Sequence, residues 1–224
     1  MMNTTAPYTP IQYIVGHAEF CGMDFLVDER VFIPRPETEL LVETVTEIFY
    51  SIHSTQYAIL DLCTGSGNIA IALTKTLPDC KIIASDISEE ALALARKNSS
   101  RLGAGHNIEF VSSDLFNNIK GRYDLIVSNP PYIAGFEFET LQKEVLKEPR
   151  LALDGGEDGL GFYRRIVQEA PRCLNSGGYL VFEIGFGQAG EVRKIIGRAG
   201  AFKVTGIKKD FNGIDRVVVA RWIN

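Results

Sequence analysis

From residue 57 onward, apolar segments of strand length alternate with longer segments that have helical periodicity. The predicted strands are 58–62, 81–85, 108–111, 123–128 and 178–184. The predicted helices between them are 68–77, 89–102 and 161–174. Since strands joined through helices run parallel and are covered on both faces, this alternation predicts an α/β fold with a Rossmann-like, mostly parallel sheet.

The two ends of the chain do not follow that alternation. Segments 201–209 and 214–222 both have strand composition, and Asn212-Gly213 between them is typical of a hairpin turn. The sheet is therefore expected to end in a terminal antiparallel strand pair. Near the N-terminus, apolar segments 13–15 and 25–27 flank a glycine-containing stretch, which predicts a small N-terminal β-hairpin.

A proline-rich segment, Phe32-Ile33-Pro34-Arg35-Pro36-Glu37, lies between the predicted hairpin and the α/β region. Its prolines keep the chain extended and then admit a helix, whose apolar stripe starts at Leu40. The first ten residues are expected to be frayed. We therefore interpret residues 1–36 as a tail, hairpin and proline-rich segment, and residues 37–224 as the main domain.

Composition argues against several classes of protein. The 224 residues include 28 acidic and 23 basic side chains, and no basic run stands out, so no extensive nucleic-acid binding is expected. Four cysteines without a CxxC pair and three histidines predict free thiols and no metal site. No apolar stretch reaches the roughly 18 residues that a membrane helix needs. A soluble, cytoplasmic protein is expected.

A glycine loop, Asp61-Leu62-Cys63-Thr64-Gly65-Ser66-Gly67, follows the first predicted strand and opens a helix. Glycines there let the backbone turn sharply and approach a ligand. The spacing Gly65-x-Gly67-x-x-Ala70 also fits a loose dinucleotide fingerprint. A tight turn without a ligand is the alternative.

Acidic residues follow the next two predicted strands. Asp86 ends the second strand, where an acid can accept hydrogen bonds from both ribose hydroxyls of an adenosine; a helix N-cap is the alternative. Asp114, after the third strand, is placed to meet an adenine amino group, with Leu115 or Phe116 covering the ring; an ordinary loop acid is the alternative. Because the carboxyl ends of parallel strands meet at one edge, these loops are expected to form one crevice for a nucleoside cofactor.

The most specific motif is Asn129-Pro130-Pro131-Tyr132, directly after the fourth predicted strand. A planar amide or aromatic NH2 is a poor nucleophile with two donors. The side-chain oxygen of Asn129 can accept one hydrogen bond and the carbonyl of Pro130 the other, while prolines stiffen the turn. Tyr132 would pack on the planar group. Such a turn can aim the nitrogen at a sulfonium methyl, whereas a plain strand terminator needs neither Asn129 nor Tyr132.

These motifs resemble the HemK/PrmC group of class I S-adenosylmethionine-dependent methyltransferases, the protein-(glutamine-N5) methyltransferases of peptide chain release factors. The resemblance runs from about Pro10 to the C-terminus. It is carried by four further segments besides the glycine loop and residues 129–132, namely 32–39, 148–150, 152–160 and 182–185.

The resemblance implies an S-adenosyl-L-methionine cofactor, S-adenosyl-L-homocysteine as product, and the glutamine of a Gly-Gly-Gln motif in a release factor as substrate. It makes residues 37–224 the methyltransferase domain. The substrate amide would be held by Asn129, Pro130, Pro131 and Tyr132, with Asn129, Pro130 and Tyr132 catalytic. The implied cofactor-binding residues are Phe32, Arg35, Cys63, Thr64, Gly65, Ser66, Gly67, Asp86, Asp114, Leu115 and Asn129.

Two departures from the family and several alternatives accompany this interpretation. Many relatives have tryptophan at the position of Leu115, and the family usually begins with a helical domain, so the chain is expected to be a truncated or short natural form. The alternative functions are N6-adenine methylation of DNA or RNA, glutamine methylation of a ribosomal protein, a nicotinamide-dependent oxidoreductase, and a non-catalytic cofactor-binding module. Loop 154–161 is interpreted as a lid or a plain surface connection, and Glu183 as a capped or solvated acid.

Overall fold

The computed structural model of this chain describes residues 7–52 and 57–223. Nine strands lie in these residues: β1 (His17–Phe20), β2 (Met23–Leu26), β3 (Tyr57–Leu62), β4 (Cys80–Asp86), β5 (Ile108–Ser112), β6 (Tyr123–Ser128), β7 (Leu174–Glu183), β8 (Phe202–Lys209) and β9 (Asp215–Trp222). The first two form an antiparallel hairpin and the other seven form one sheet in the order β5-β4-β3-β6-β7-β9-β8. The predicted fold is confirmed.

The five strands β5, β4, β3, β6 and β7 run parallel to one another, whereas β9 runs antiparallel to both of its neighbours. The terminal strand pair is thus a hairpin whose second strand inserts between β7 and β8. This insertion returns the chain to the carboxyl end of β7, so the start of β9 lies beside Glu183.

The helices in the same residues are α1 (Ile11–Val15), α2 (Glu39–Ile52), α3 (Asn68–Thr76), α4 (Glu89–Arg101), α5 (Arg150–Leu153), α6 (Gly161–Glu169) and α7 (Ala189–Ala199). Helices α2 and α3 pack on one face of the sheet, and α6 and α7 pack on the other. Alternate side chains of one strand therefore enter different cores. In β9, Val217 packs in the core under α2 and α3, and Val218 packs in the core under α6 and α7.

Asn98 and Arg101 of α4 both bind the N-terminal hairpin, and Arg101 donates to the carbonyl of Asp24 at 2.6 Å. Asn98 accepts a hydrogen bond from the backbone N–H of Leu26 at 2.8 Å and donates to its carbonyl at 3.0 Å. Apolar residues of the hairpin and of the following segment bury against Ala91 and Leu94 of the same helix. The proposed boundary at residue 36 stays a prediction, and residues 1–6 of the expected frayed tail lie outside the described residues.

Three details of the predicted secondary structure were wrong. Residues 13–15 belong to helix α1, which ends at Gly16 in the left-handed conformation (φ 80°), so the hairpin begins later than expected. Helix α6 ends before Pro171, and Leu174 already begins β7. Helix α7 was not predicted: two glycines weaken its sequence signal, and burial of Val192 and Ile196 against the sheet stabilises it.

Candidate active site

A cavity of about 780 Å³ opens at the carboxyl edge of the parallel strands. The predicted site residues in its wall are Phe32, Arg35, Cys63, Thr64, Gly65, Ser66, Asp86, Asp114, Leu115, Asn129, Pro130, Pro131 and Tyr132. Gly67 does not line the cavity. It has φ +81°, and a Cβ there would meet Ala95 at 3.1 Å, so this glycine serves the turn and the packing on α4.

The glycine loop (residues 61–67) is held by hydrogen bonds within the loop and to strand β4. Thr64 donates from its hydroxyl to Asp61 Oδ2 at 2.6 Å and from its N–H to the carbonyl of Ser85 at 2.9 Å. Gly65 has φ +55°, and a Cβ there would contact nothing within 4 Å. Burial raises the pKa of Asp61 to about 7. The loop therefore presents an open backbone face to the cavity.

Asp86 joins two loops at the cavity wall. Its Oδ2 accepts from the N–H of Gly65 and its Oδ1 from the N–H of Ser88, both at 2.9 Å. The N-cap of α4 is Ser88, whose hydroxyl accepts from the N–H of Ala91, so Asp86 is not the helix cap. Burial raises the pKa of Asp86, while the N–H donors oppose that shift.

Asp114 is placed differently from Asp86. Its two carboxylate oxygens accept hydrogen bonds from Arg165 of α6 at 2.8 and 2.9 Å, so it lines the cavity as half of an ion pair. Leu115 beside it is buried, with φ 48°. Phe116 packs in the core rather than in the cavity wall, whereas Ile87, which the sequence analysis overlooked, lines the cavity and is exposed. Leu115 and Ile87 thus both supply apolar surface at this end.

The Asn-Pro-Pro-Tyr turn (residues 129–132) follows β6, next to the glycine loop after β3, and also lines the cavity. Asn129 donates from Nδ2 to Thr38 Oγ1 at 3.3 Å, and within the described residues its Oδ1 makes no hydrogen bond. Tyr132 donates from its hydroxyl to Glu183 Oε1, also at 3.3 Å. Burial and the charge of Glu183 raise the pKa of Tyr132. The amide oxygen of Asn129 is therefore free to accept from a ligand.

Glu183 at the end of β7 is only 1% exposed, so neither of its expected roles, a capped or a solvated acid, is correct. Burial raises the pKa of this carboxyl to about 7, although the neighbouring Thr38 hydroxyl, the charge of Arg216 and the hydrogen bond from Tyr132 oppose the shift. Its Oε2 has no hydrogen-bond partner. Sequence reasoning missed this role because nothing local to an acid at a strand end tells whether another segment covers it.

Loop 154–161 packs against the back of the Asn-Pro-Pro-Tyr turn, so we call it the backing loop. A Cβ at Gly155 would lie 2.7 Å from Cα of Tyr132, and one at Gly159 would lie 2.5 Å from its carbonyl oxygen. Gln188 donates to that same carbonyl at 2.8 Å. The backing loop supports the turn through Gly155 and Gly159 while residues 156–158 are exposed, and its role as a lid stays a prediction.

The proline-rich segment is fixed by a buried acid from the segment after β6. Glu148, 4% exposed, accepts from the N–H of Ile33 at 2.9 Å and from the guanidinium of Arg35. Arg35 in turn lies over the ring of Phe32, 4.8 Å from its centroid. These contacts hold the segment in the wall of the cavity, where Thr38, the residue that follows it, accepts the hydrogen bond from Asn129.

Residues 7–52 and 57–223 contain no group of three or more histidine, cysteine, aspartate or glutamate side chains that could hold a metal ion. No helix within those ranges is long and apolar enough to cross a membrane.

Comparisons with known proteins agree with this arrangement. The methyltransferase small domain family matches residues 36–158. A release factor glutamine methyltransferase of Geobacter sulfurreducens is 48% identical over 95% of this chain and 73% of the relative, and one of Thermodesulfovibrio yellowstonii is 44% identical over 94% and 75%.

Solved structures show the same fold. A release-factor-specific protein-(glutamine-N5) methyltransferase of Alicyclobacillus acidocaldarius is 29% identical, with a TM-score of 0.52 over 86% of this chain and 95% of that one. The human Mettl16 catalytic domain, 17% identical, aligns with a TM-score of 0.71 over 90% of this chain and 76% of its own, which reflects the fold alone. By its identity to the curated relatives over most of their length, this chain belongs to the release factor glutamine methyltransferase family.

Proposed function

We propose that the chain transfers a methyl group from S-adenosylmethionine to the side-chain amide nitrogen N5 of a glutamine. The substrate is the Gly-Gly-Gln motif of a peptide chain release factor, and the product cofactor is S-adenosylhomocysteine. The observation that carries the proposal is the free amide oxygen of Asn129 in an Asn-Pro-Pro-Tyr turn that lines the same cavity as the glycine loop and Asp86. The proposal includes a cytoplasmic location, where release factors act.

The cavity offers suitable groups for the cofactor. The open face of Gly65 leaves room for a ligand against the backbone, and the carboxylate of Asp86 retains lone pairs for ribose hydroxyls. Leu115 and Ile87 supply apolar surface for an adenine ring, and Arg165 holds Asp114 beside them. When bound, S-adenosylmethionine supplies an electrophilic methyl group on a sulfonium.

The Asn-Pro-Pro-Tyr turn would hold the substrate amide by its two N–H groups. Asn129 Oδ1 accepts one and the carbonyl of Pro130 accepts the other. Methyl transfer to the substrate nitrogen would break the carbon–sulfur bond, release the neutral thioether and place positive charge on nitrogen, and that charge would be lost when the nitrogen gives up one proton to water. Two fixed acceptors stabilise that charge, and they need no reorganisation because Thr38 and the backing loop already hold the turn.

The test is transfer of labelled methyl from S-adenosylmethionine to an isolated release factor. The matched control is the same factor with the motif glutamine changed to alanine. Label on the parent factor and none on the variant is expected. Label on the variant, or on adenine-containing DNA or a ribosomal protein in preference to the release factor, contradicts the proposal.

A further inference from the structure

Four side chains from three distant parts of the chain meet behind the Asn-Pro-Pro-Tyr turn. Asn129 donates from Nδ2 to Thr38 Oγ1, and Tyr132 donates from its hydroxyl to Glu183 Oε1, each at 3.3 Å. The Thr38 hydroxyl also neighbours Glu183 and lowers the pKa of that carboxyl, while Glu183 Oε2 makes no hydrogen bond in this structure. Thr38 and Glu183 are each 1% exposed, so water does not replace these contacts.

The hydrogen of the Thr38 hydroxyl has one evident destination. Its oxygen already accepts from Asn129, and no other acceptor within the described residues takes its hydrogen. Glu183 Oε2 is buried and has no partner. A small rotation of the hydroxyl toward this oxygen completes a chain that runs from the Asn129 amide through Thr38 to the carboxylate.

A carboxylate end gives this chain a direction. An ionised carboxylate only accepts, so Thr38 must donate to it and must therefore accept from its other neighbour. The neighbour that can donate is the NH2 group of Asn129. With its NH2 turned to Thr38, Asn129 turns its Oδ1 to the cavity.

We propose that Glu183, acting through Thr38, sets the amide orientation of Asn129 so that an acceptor faces the substrate NH2. This inference rests on the proposed function, and it makes Glu183 and Thr38 positioning residues. If residue 183 were neutral, it could donate to Thr38, which could then donate to Asn129 Oδ1. The amide would turn its NH2 to the cavity, where a donor would meet the donors of the substrate.

The charges around Glu183 leave it free for this role. Arg216 attracts it but pairs with Asp210 at 3.2 Å rather than with Glu183. Glu37, in the turn before α2, repels it. Tyr163 of α6 donates to the backbone carbonyl of Glu183 at 3.0 Å, not to its carboxylate. Within the described residues, Tyr132 is thus the hydrogen-bond donor to Oε1 of the carboxylate, and the neighbouring Thr38 hydroxyl is the group placed to donate to Oε2.

The first test compares Glu183→Gln, Thr38→Val and Thr38→Ser in methyl transfer to the release factor. We expect Glu183→Gln to lower kcat about a hundredfold, as loss of one preorganised contact does. We expect Thr38→Val to lower it at least tenfold, by the same reasoning. Thr38→Ser keeps the hydroxyl and should retain most of the parent rate. The Kd for S-adenosylhomocysteine should change less than about twofold, since the glycine loop and Asp86 are untouched.

Glu191→Gln, which neutralises an exposed acid of α7, is the matched control and should leave kcat unchanged. Because the pKa of Glu183 lies at about 7, the parent kcat should fall as pH drops below 7, and Glu183→Gln should lose that dependence. A parent-like kcat in Glu183→Gln, or equal losses in Thr38→Ser and Thr38→Val, would overturn the proposal.

The second test reads the amide directly and does not depend on the substrate. The side-chain NH2 signal of Asn129 is assigned in an NMR spectrum by its loss in Asn129→Asp. It should show a contact to Thr38 and shift as pH is lowered through 7, and both features should vanish in Glu183→Gln. An NH2 signal that changes neither with pH nor in Glu183→Gln would contradict this inference. An inactive parent enzyme with the expected NMR behaviour would contradict only the proposed substrate.

Discussion

In the glycine-loop half of the cavity one carboxylate holds backbone N–H groups in place, whereas in the Asn129 half side chains hold other side chains in place. Gly65 and Ser88 donate from the backbone to one carboxylate, Asp86. Asn129 and Tyr132 instead depend on Thr38 and a buried Glu183 from other segments. Every non-proline residue has a backbone N–H, so the hydrogen bonds of the glycine-loop half depend on the identity of few side chains. The second half depends on each of its side chains and on one charge.

This difference fits the task proposed for each half. A cofactor that is bound before and after reaction needs a shaped cradle, which glycines and a strand end provide. A weak amide nucleophile needs two acceptors at fixed positions, and a side-chain amide provides one only if its orientation is set. The orientation of the Asn129 amide depends in turn on the buried carboxylate of Glu183, whose pKa is raised by burial.

The largest expected effect is in the second half. Asn129→Ala removes the proposed acceptor and should lower kcat on the order of a hundredfold or more. Affinity for S-adenosylhomocysteine should stay near that of the parent, because the glycine loop and Asp86 are untouched. Asn129→Asp adds a charge near the sulfonium and loses the donor to Thr38, so it should keep or improve cofactor affinity while it lowers transfer. Steady-state kinetics and calorimetry measure both; a folded, cofactor-loaded Asn129→Ala at the parent rate would make the turn a mere strand terminator.

The next effect is in the first half. Asp86→Ala removes a charged acceptor from the cavity wall and should weaken binding of S-adenosylhomocysteine by about 1.5–3 kcal/mol. Asp79→Ala, at an exposed acid just before β4, is the control and should bind as the parent does. Calorimetry that finds equal affinities for the two variants would remove Asp86 from the cofactor site.

A third prediction concerns the stability cost of Glu183. Its pKa of about 7 in the fold lies above its ordinary 4.5, so protonation favours the folded state. That contribution is fully present below pH 4.5 and is lost as pH rises through 7. Relative to Glu183→Gln, the parent should therefore lose about 2 kcal/mol of unfolding free energy between roughly pH 5.5 and 7.5. Urea denaturation at both pH values measures this. If the difference in unfolding free energy between the parent and Glu183→Gln were the same at both pH values, the pKa of Glu183 would not be raised in the fold.

The smallest expected effect separates two glycines of the backing loop. Gly159 and Gly156 both have positive φ, but only at Gly159 would a Cβ meet the Tyr132 carbonyl, at 2.5 Å. Both substitutions introduce backbone strain of the same kind, so the comparison isolates the clash. Gly159→Ala should therefore cost about 1–2 kcal/mol of unfolding free energy more than Gly156→Ala. It should also lower methyl transfer by displacing the turn. Equal thermal stabilities would show that the backing loop does not support Tyr132.

Much of the architecture could be predicted because its signals are local. Apolar runs of five to seven residues between turn signals placed β3, β4 and β6, and Asn212-Gly213 placed the hairpin of β8 and β9. Helix α1 and helix α7 could not be placed in this way. A three-residue apolar run does not distinguish helix from strand, and α7 owes its stability to the sheet rather than to its own residues.

The sequence by itself determined the chemistry of each strand-end loop: the glycines after β3, the acid after β4 and the Asn-Pro-Pro-Tyr turn after β6. These are local, because each motif contains the residues that give it its shape. Only the tertiary structure decided which of them share a cavity wall, that Gly67 faces α4, and that Glu183 is buried behind Tyr132. Thr38 and Asn129 are 91 residues apart, and Tyr132 and Glu183 are 51 apart. Burial and hydrogen-bond direction at such distances arise from segments that meet only once the chain has folded.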